Sequence, residues 1–415
     1  MTNFCSRSLI SFFLVNACLL GSASLASDES SQWRTLTYVQ NAIGVSHYEW
    51  DGDSICFSNN QNIVRFYPGR RKSDVNGTTL WLNAVPDGSV VNNTWRLAGI
   101  DLDFLQIAVL PHEEGNLRPL RVLLDPGHGG DDEGASSKNP VVKEKDLTLT
   151  LSKKIGSRLK KAGLQVDYTR THDATLSLAD RSMIARQKKA DLFISIHANH
   201  ASNREACGIE TYILPPCGYP GTADGSHARG WQIGNRNDYN NTLLGFSVHQ
   251  KLSALSDVVD RGLKRQSFFV LRETSCPAVL IECGFLSNTC ENHRMLKTAW
   301  QEHCATAITD GVLSYARKVD LLDKAVADKR VRDSEANKRW RQYLASLSAH
   351  SSNAQLVASA KVADNRRDAQ PAPASQRPAL DGLSNAVASA MFTGTNTAPV
   401  QIDSLIDFYA PGKVQ

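Results

Sequence analysis

The chain has 415 residues and a formal net charge of +4. That length leaves room for two or three domains, and so mild a charge gives no electrostatic case for a nucleic-acid partner. The first 26 residues carry a message of their own: Arg7 precedes the apolar run LISFFLVNACLLG, and small residues follow in SASLA. This is the pattern of a secretory leader, with cleavage expected after Ala26. The run is short against the roughly 20 residues of a bilayer-spanning helix; an uncleaved anchor is the alternative. Val15, Asn16 and Ala17 fit a lipidation signal before Cys18 poorly. No later segment approaches about 18 continuous apolar residues. The expectation is therefore an exported chain, in the periplasm or cell envelope, without a membrane span once the leader is removed.

Seven cysteines remain beyond the leader: Cys56, Cys207, Cys217, Cys276, Cys283, Cys290 and Cys304. An oxidising compartment permits bridges, and an odd number leaves at least one thiol over. Cys207 and Cys217 flank one predicted strand and could close a loop. No CxxC pair exists, which argues against a structural zinc built from thiolates. Residues 33–112 hold short aromatic or β-branched runs (WRTLTYVQ, SICFS, IVRFYPG, TLWLNA) separated by DGD, NN and PDG. That is hairpin chemistry, and it predicts a small β-rich domain, either an attachment module or a spacer.

Between Arg121 and Lys318 the periodicity strengthens. RVLLD reads as a buried strand stopped by Pro126. Leu147, Leu151, Ile155 and Leu159 make one helical face, with Gly163 at the C-terminal cap. Ser177 and Asp180 have capping-box spacing. DLFISIH, GIETYIL and PAVLIE read as strands, and Met295, Leu296, Trp300, Cys304, Ile308 and Val312 suit a closing helix. Such alternation predicts an α/β domain over 121–317. Residues 318–349 read as a charged helical extension, and 350–415 as a mostly disordered tail, too poor in large apolar side chains to offset ordering entropy.

The candidate functional residues stand at strand ends, where ligands bind in α/β sheets. His128 follows RVLLD in a glycine-rich loop, His197 ends DLFISIH, and Glu282 ends PAVLIE. Glu144 opens a helix, where the dipole favours a carboxylate. Singly, each has a plain explanation: a turn histidine, a hydrogen-bonded core histidine, a helix-start charge. Glu282 is harder to explain away, because a carboxylate after AVLI is expensive to bury without a cation or a proton. Together, two histidines and a carboxylate make an open three-ligand zinc shell, with a further carboxylate as base. The remaining histidines read as solvated or structural.

The ordered run DPGHGG, EKDLTL, LSLADRSMIA, ADLFISIHAN, GIETYIL and VLIECGFLSN resembles the zinc-dependent N-acetylmuramoyl-L-alanine amidases of the AmiA/AmiB/AmiC type, across nearly all of 121–317. The resemblance implies a central mixed sheet of about six strands with helices on both faces. It implies one zinc held by His128, Glu144 and His197, with Glu282 as catalytic carboxylate and Arg272 as a residue orienting substrate. The implied substrate is peptidoglycan, cut between N-acetylmuramic acid and L-alanine during wall remodelling and daughter-cell separation, with an activator or division-complex protein as a possible partner. The glycines of DPGHGG would then clear space for a bulky substrate. The N-terminal region weakly resembles small domains found on copper amine oxidases and some wall enzymes.

One departure is the long segment PPCGYPGTADGSHARGWQIGNRNDYNNT before a helix expected at Leu243. It lacks a helical period and predicts an irregular loop, with autoinhibition left open. The competing readings are a zinc peptidase acting within the stem peptide, and a wall-binding scaffold that has lost catalysis. All four site residues are present, which disfavours the scaffold.

Overall fold

The computed structural model describes residues 33–45, 47–50, 53–89, 94–109, 117–118, 120–138, 140–223 and 230–350. The expected leader, and the expected tail beyond residue 350, lie outside them. The N-terminal region begins with β1 (Trp33–Thr35) and α1 (Leu36–Ala42). Strands β2 (His47–Trp50), β3 (Ile55–Ser58), β4 (Ile63–Phe66), β5 (Lys72–Val75) and β6 (Thr78–Trp81) then form an antiparallel meander. β7 (Arg96–Ala98) returns to pair with β1, and α2 (Gly99–Ala108) follows. Period-two alternation buries Phe57, Val64, Phe66 and Val75 on one face, where the Phe57, Phe66 and Trp95 rings meet at tilted or edge-on angles.

From Arg121 strands and helices alternate. In order they are β8 (Arg121–Pro126), the hairpin β9 (Ser136–Lys138) and β10 (Val141–Lys143), α3 (Glu144–Lys161), β11 (Gln165–Tyr168) and α4 (Leu178–Gln187). There follow β12 (Leu192–Asn199), β13 (Ile209–Ile213), α5 (Asp238–Ser253), β14 (Asp260–Arg265) and α6 (Phe269–Glu273). β15 (Ala278–Phe285), α7 (Thr289–Met295) and α8 (Thr298–His350) complete the series. The predicted α3 face is buried at Leu147, Leu151, Ile155 and Leu159, and Gly163 takes the left-handed conformation just past its end. Ser177 and Asp180 make both bonds of the capping box that starts α4.

The sheet order is β11-β8-β12-β15-β13-β14, six strands, before it continues into the N-terminal region. β11, β8, β12 and β15 run parallel, and β13 is antiparallel to β15, so the sheet is mixed, as expected. Leu123 and Phe193 cluster with Ala185 of α4 and Val270 of α6, while the adjacent Leu124 lies under α3 at Gly156. Neighbouring strand residues point to opposite faces, so helices cover both. Beyond β14 the sheet continues through the parallel pair Leu263↔Leu80 into β6 and the meander, eleven strands in all. Residues Asp28–Leu321 form one compact unit, and the rest of α8 belongs to a second.

Three expectations need correction. The segment after β13 is irregular through residue 223 and at 230–232, but a 3-10 turn (Ile233–Asn237) leads into α5 at Asp238, ahead of Leu243. Its polar residues hid the helix because they have buried partners: Asn241 accepts from the Ala278 amide at 2.9 Å and donates to the Gly234 carbonyl at 3.1 Å. Met295 closes the separate α7, and Leu296 is exposed between helices, so neither lies on the closing helix. The closing helix and the charged extension are one helix, α8. Cys207 and Cys217 are both free, as are the other five cysteines beyond the leader. No helix among the described residues is long and apolar enough to cross a membrane.

Candidate metal centre

The parallel pairing of β8, β12 and β15 sets their carboxyl ends side by side. Ile196 of β12 lies opposite Pro126, and His197 lies opposite Glu282. His128 stands two residues beyond β8, with a φ of 60°, a left-handed conformation unusual for a non-glycine residue. Glu144, the first residue of α3, is buried. Its Oε1 accepts from the Ala198 amide at 3.0 Å, and its Oε2 accepts from the Ala135 amide at 2.8 Å. The same Oε1 lies 3.2 Å from His128 Nε2 and 3.0 Å from His197 Nδ1. One ligand atom each from His128, Glu144 and His197 falls within 4.8 Å of the others.

Burial alone disfavours a charged Glu144, but hydrogen bonds and charge from His128 and His197 hold its carboxyl well below the usual range. Burial likewise opposes a charge on His128, and Glu144 and Asp132 more than offset it, raising its pKa. His128 Nδ1 lies 2.8 Å from Asp132 Oδ2. An ionised carboxylate can only accept, so in the neutral ring Nδ1 carries the hydrogen and Nε2 turns its lone pair to the cluster. This carboxylate–imidazole pairing is the usual support of a metal-binding histidine. Space points the same way. A Cβ on Gly127 would lie 2.3 Å from the His197 ring, and one on Gly134 would lie 2.6 Å from both Glu144 Oε2 and the His128 ring. At Gly127 and Gly134 the missing side chains thus make room for the three candidate ligands rather than for substrate. Two imidazoles and a carboxylate converging in this way fit a cation that keeps a further position open.

Glu282 is half-buried, but its Oε2 is buried with no hydrogen-bond partner among the described residues. Burial, reinforced by Glu144 and Glu210, pushes its carboxyl well above the ordinary value.

Residues 122–314 match the family model described as N-acetylmuramoyl-L-alanine amidase. The amidase AmiA of Escherichia coli (strain K12) is 33% identical over 219 residues, covering 47% of this chain and 75% of that protein. AmiA of Salmonella typhimurium (strain LT2) is 31% identical over 218 residues, covering 47% and 75%. A solved amidase structure from Clostridium difficile 630 shares 37% identity over 48% of this chain and 96% of that one, with a TM-score of 0.41.

The chain belongs to the N-acetylmuramoyl-L-alanine amidase family. It is a hydrolase of cell-wall peptidoglycan. In this amidase Arg272 donates to the Ser267 carbonyl at 3.1 Å and packs over the Phe269 ring, both within its own segment.

Sequence reasoning passed over two groups beside the site. Glu210 lies opposite Glu282 on β13, buried and bound by Tyr212, Arg261, Lys264 and Asn199. Its acidic place inside GIETYIL was the available signal. Asp125, buried at the end of β8, accepts from Ser195, Thr169 and Arg181. A charge closing RVLLD and a serine within FISIH were the signals there.

Proposed function

We propose that the amidase works with one zinc ion held by His128, Glu144 and His197, and that Glu282 carries the proton of the reaction. The observation that supports this reading most is the cluster itself, with Glu282 one strand away from His197 in register. Zinc, when bound there, supplies Lewis acidity, making water a better nucleophile at neutral pH and the amide carbonyl a better electrophile. The chain's own residues do the rest. Asp132 fixes the orientation of the His128 imidazole. Glu282 takes a proton from the attacking water and delivers it to the departing L-alanine amine, which must leave protonated. Its raised pKa suits both halves of that exchange, since the proton must be held between them.

The amide between N-acetylmuramic acid and L-alanine is the bond cut. Export to the periplasm or envelope, and a role in wall remodelling and cell separation under an activator, complete the reading. The leader-like start of the sequence supports the export. Glu282→Gln tests the mechanism: zinc content stays near one per chain, while hydrolysis of purified wall polymer falls by about 10²–10⁴-fold. A Glu282→Gln protein with full zinc and unchanged rate would remove Glu282 from the role. Mass spectrometry of products separates amidase from peptidase, because only the amidase releases sugar free of peptide.

A further inference from the structure

The geometry points to Arg170 and Arg181 as positioning residues for the metal centre, a pair that holds all three ligand-bearing segments in register. The inference rests on His128, Glu144 and His197 being the zinc ligands. Both arginines are buried, and their donors go to the backbone that carries the site. Arg181 Nη1 donates to the Pro126 carbonyl at 2.9 Å and Nη2 to the His128 carbonyl at 2.8 Å. Arg170 Nε donates to the same Pro126 carbonyl at 3.0 Å, and its Nη2 to the Gly127 carbonyl at 2.9 Å. Three successive carbonyls of the His128 loop are thus fixed from one side.

The same two side chains reach the other ligands. Arg170 Nη2 also donates to the Lys145 carbonyl at 2.7 Å, one residue past Glu144. Arg181 pairs with Asp125 at 2.7 Å, and Asp125 Oδ2 accepts from Ser195 Oγ at 2.8 Å, two residues before His197 on β12. A planar guanidinium with its donors in a fixed fork can hold several carbonyls at set angles, which a lysine cannot. Arg170 makes this clearest: each hydrogen bond found for it goes to a carbonyl or to the Thr148 hydroxyl, none to a carboxylate. A guanidinium buried in that way bears a desolvation cost without a directly bonded counter-charge. Holding His128 at its left-handed φ, against the preference of a residue with a Cβ, is the service that accounts for it.

The test is zinc affinity of the metal-stripped full chain, by competition with a chelator, alongside thermal unfolding of the zinc-free protein. Arg170→Lys and Arg181→Lys are expected to weaken zinc binding about 10–100-fold. His128→Ala serves as the reference for loss of a ligand, and Leu252→Ala, a buried α5 position remote in sequence from the site, as a control that lowers stability without touching the loop. Thr148→Val, which removes one further bond to the Gly127 carbonyl, is expected to weaken zinc binding more mildly. It also stands in should an arginine variant fail to fold. Wild-type zinc affinity in Arg170→Lys and Arg181→Lys, or in Thr148→Val alone if those do not fold, overturns the inference. So does an equal loss in Leu252→Ala, which would make the effect one of general stability. Unchanged zinc binding in His128→Ala would instead overturn the ligand assignment itself.

Discussion

Gly127 and Lys318 show how single positions are settled by what surrounds them. Alanine at Gly127 would press on the His197 ring, and a shift of that ring moves a candidate ligand. Gly127→Ala is therefore expected to weaken zinc binding at least tenfold while leaving the circular dichroism spectrum unchanged; wild-type affinity would count against the ligand role of His197. Lys318 is buried, its Nζ has no hydrogen-bond partner among the described residues, and it lies 5.9 Å from the Phe246 ring centre. Burial, aided by Lys251, brings its pKa down to about 8. Between about pH 8 and the ordinary lysine range the unfolded chain holds the proton that the folded chain has released, so stability rises with pH across that window. Below it the folded protein bears the full cost of the buried charge. Lys318→Met is expected to stabilise the protein at pH 7 by about 1–3 kcal/mol and to flatten that rise, both measurable by urea unfolding at several pH values.

At the scale of elements, α4 is the helix whose start was most legible. Its capping box is written in Ser177 and Asp180, three residues apart and local to the chain. Ser177→Ala should cost about 1 kcal/mol in urea unfolding, and fraying there would loosen Arg181 as well. The start of α5 was not legible, because its early polar residues take their partners from distant segments, such as the amide of Ala278. The four site residues, three at strand ends and Glu144 at a helix start, were legible only taken together. Their register, His197 beside Glu282, follows only from strand order, which no local pattern encodes.

Across the whole molecule, the meander of residues 47–81, part of the 33–112 region expected as a small β-rich domain, extends the α/β sheet edge to edge. Its junction is polar as well as apolar. Trp81 Nε1 donates to the Arg261 carbonyl at 2.7 Å, and the Thr79 amide donates to Asp260 at 2.7 Å. Deeper, Arg265 is almost wholly buried, 3.4 Å from Asp101 of α2. Removing Asp101 leaves that guanidinium without this partner, so Asp101→Ala is expected to destabilise the protein by about 3–5 kcal/mol. A chain shortened to residues 117–350 loses the same partner and exposes the β14 edge, a template for association. Size-exclusion chromatography should show it aggregated, where the longer chain is not; a stable, monomeric short chain would contradict this account of the junction.

The sequence by itself determined the periodicities, the helix caps, the α/β character of residues 121–317 and the four residues of the candidate site. The first three are carried by neighbours a few positions apart, and the site residues by the ordered motifs that make the chain resemble the family. Tertiary structure alone decided that the N-terminal strands share the central sheet, and that Gly127 and Gly134 make room for ligands. It alone brought two buried arginines behind the His128 loop. Those outcomes depend on which strands lie side by side, and pairing between distant segments leaves little mark on the local pattern of either.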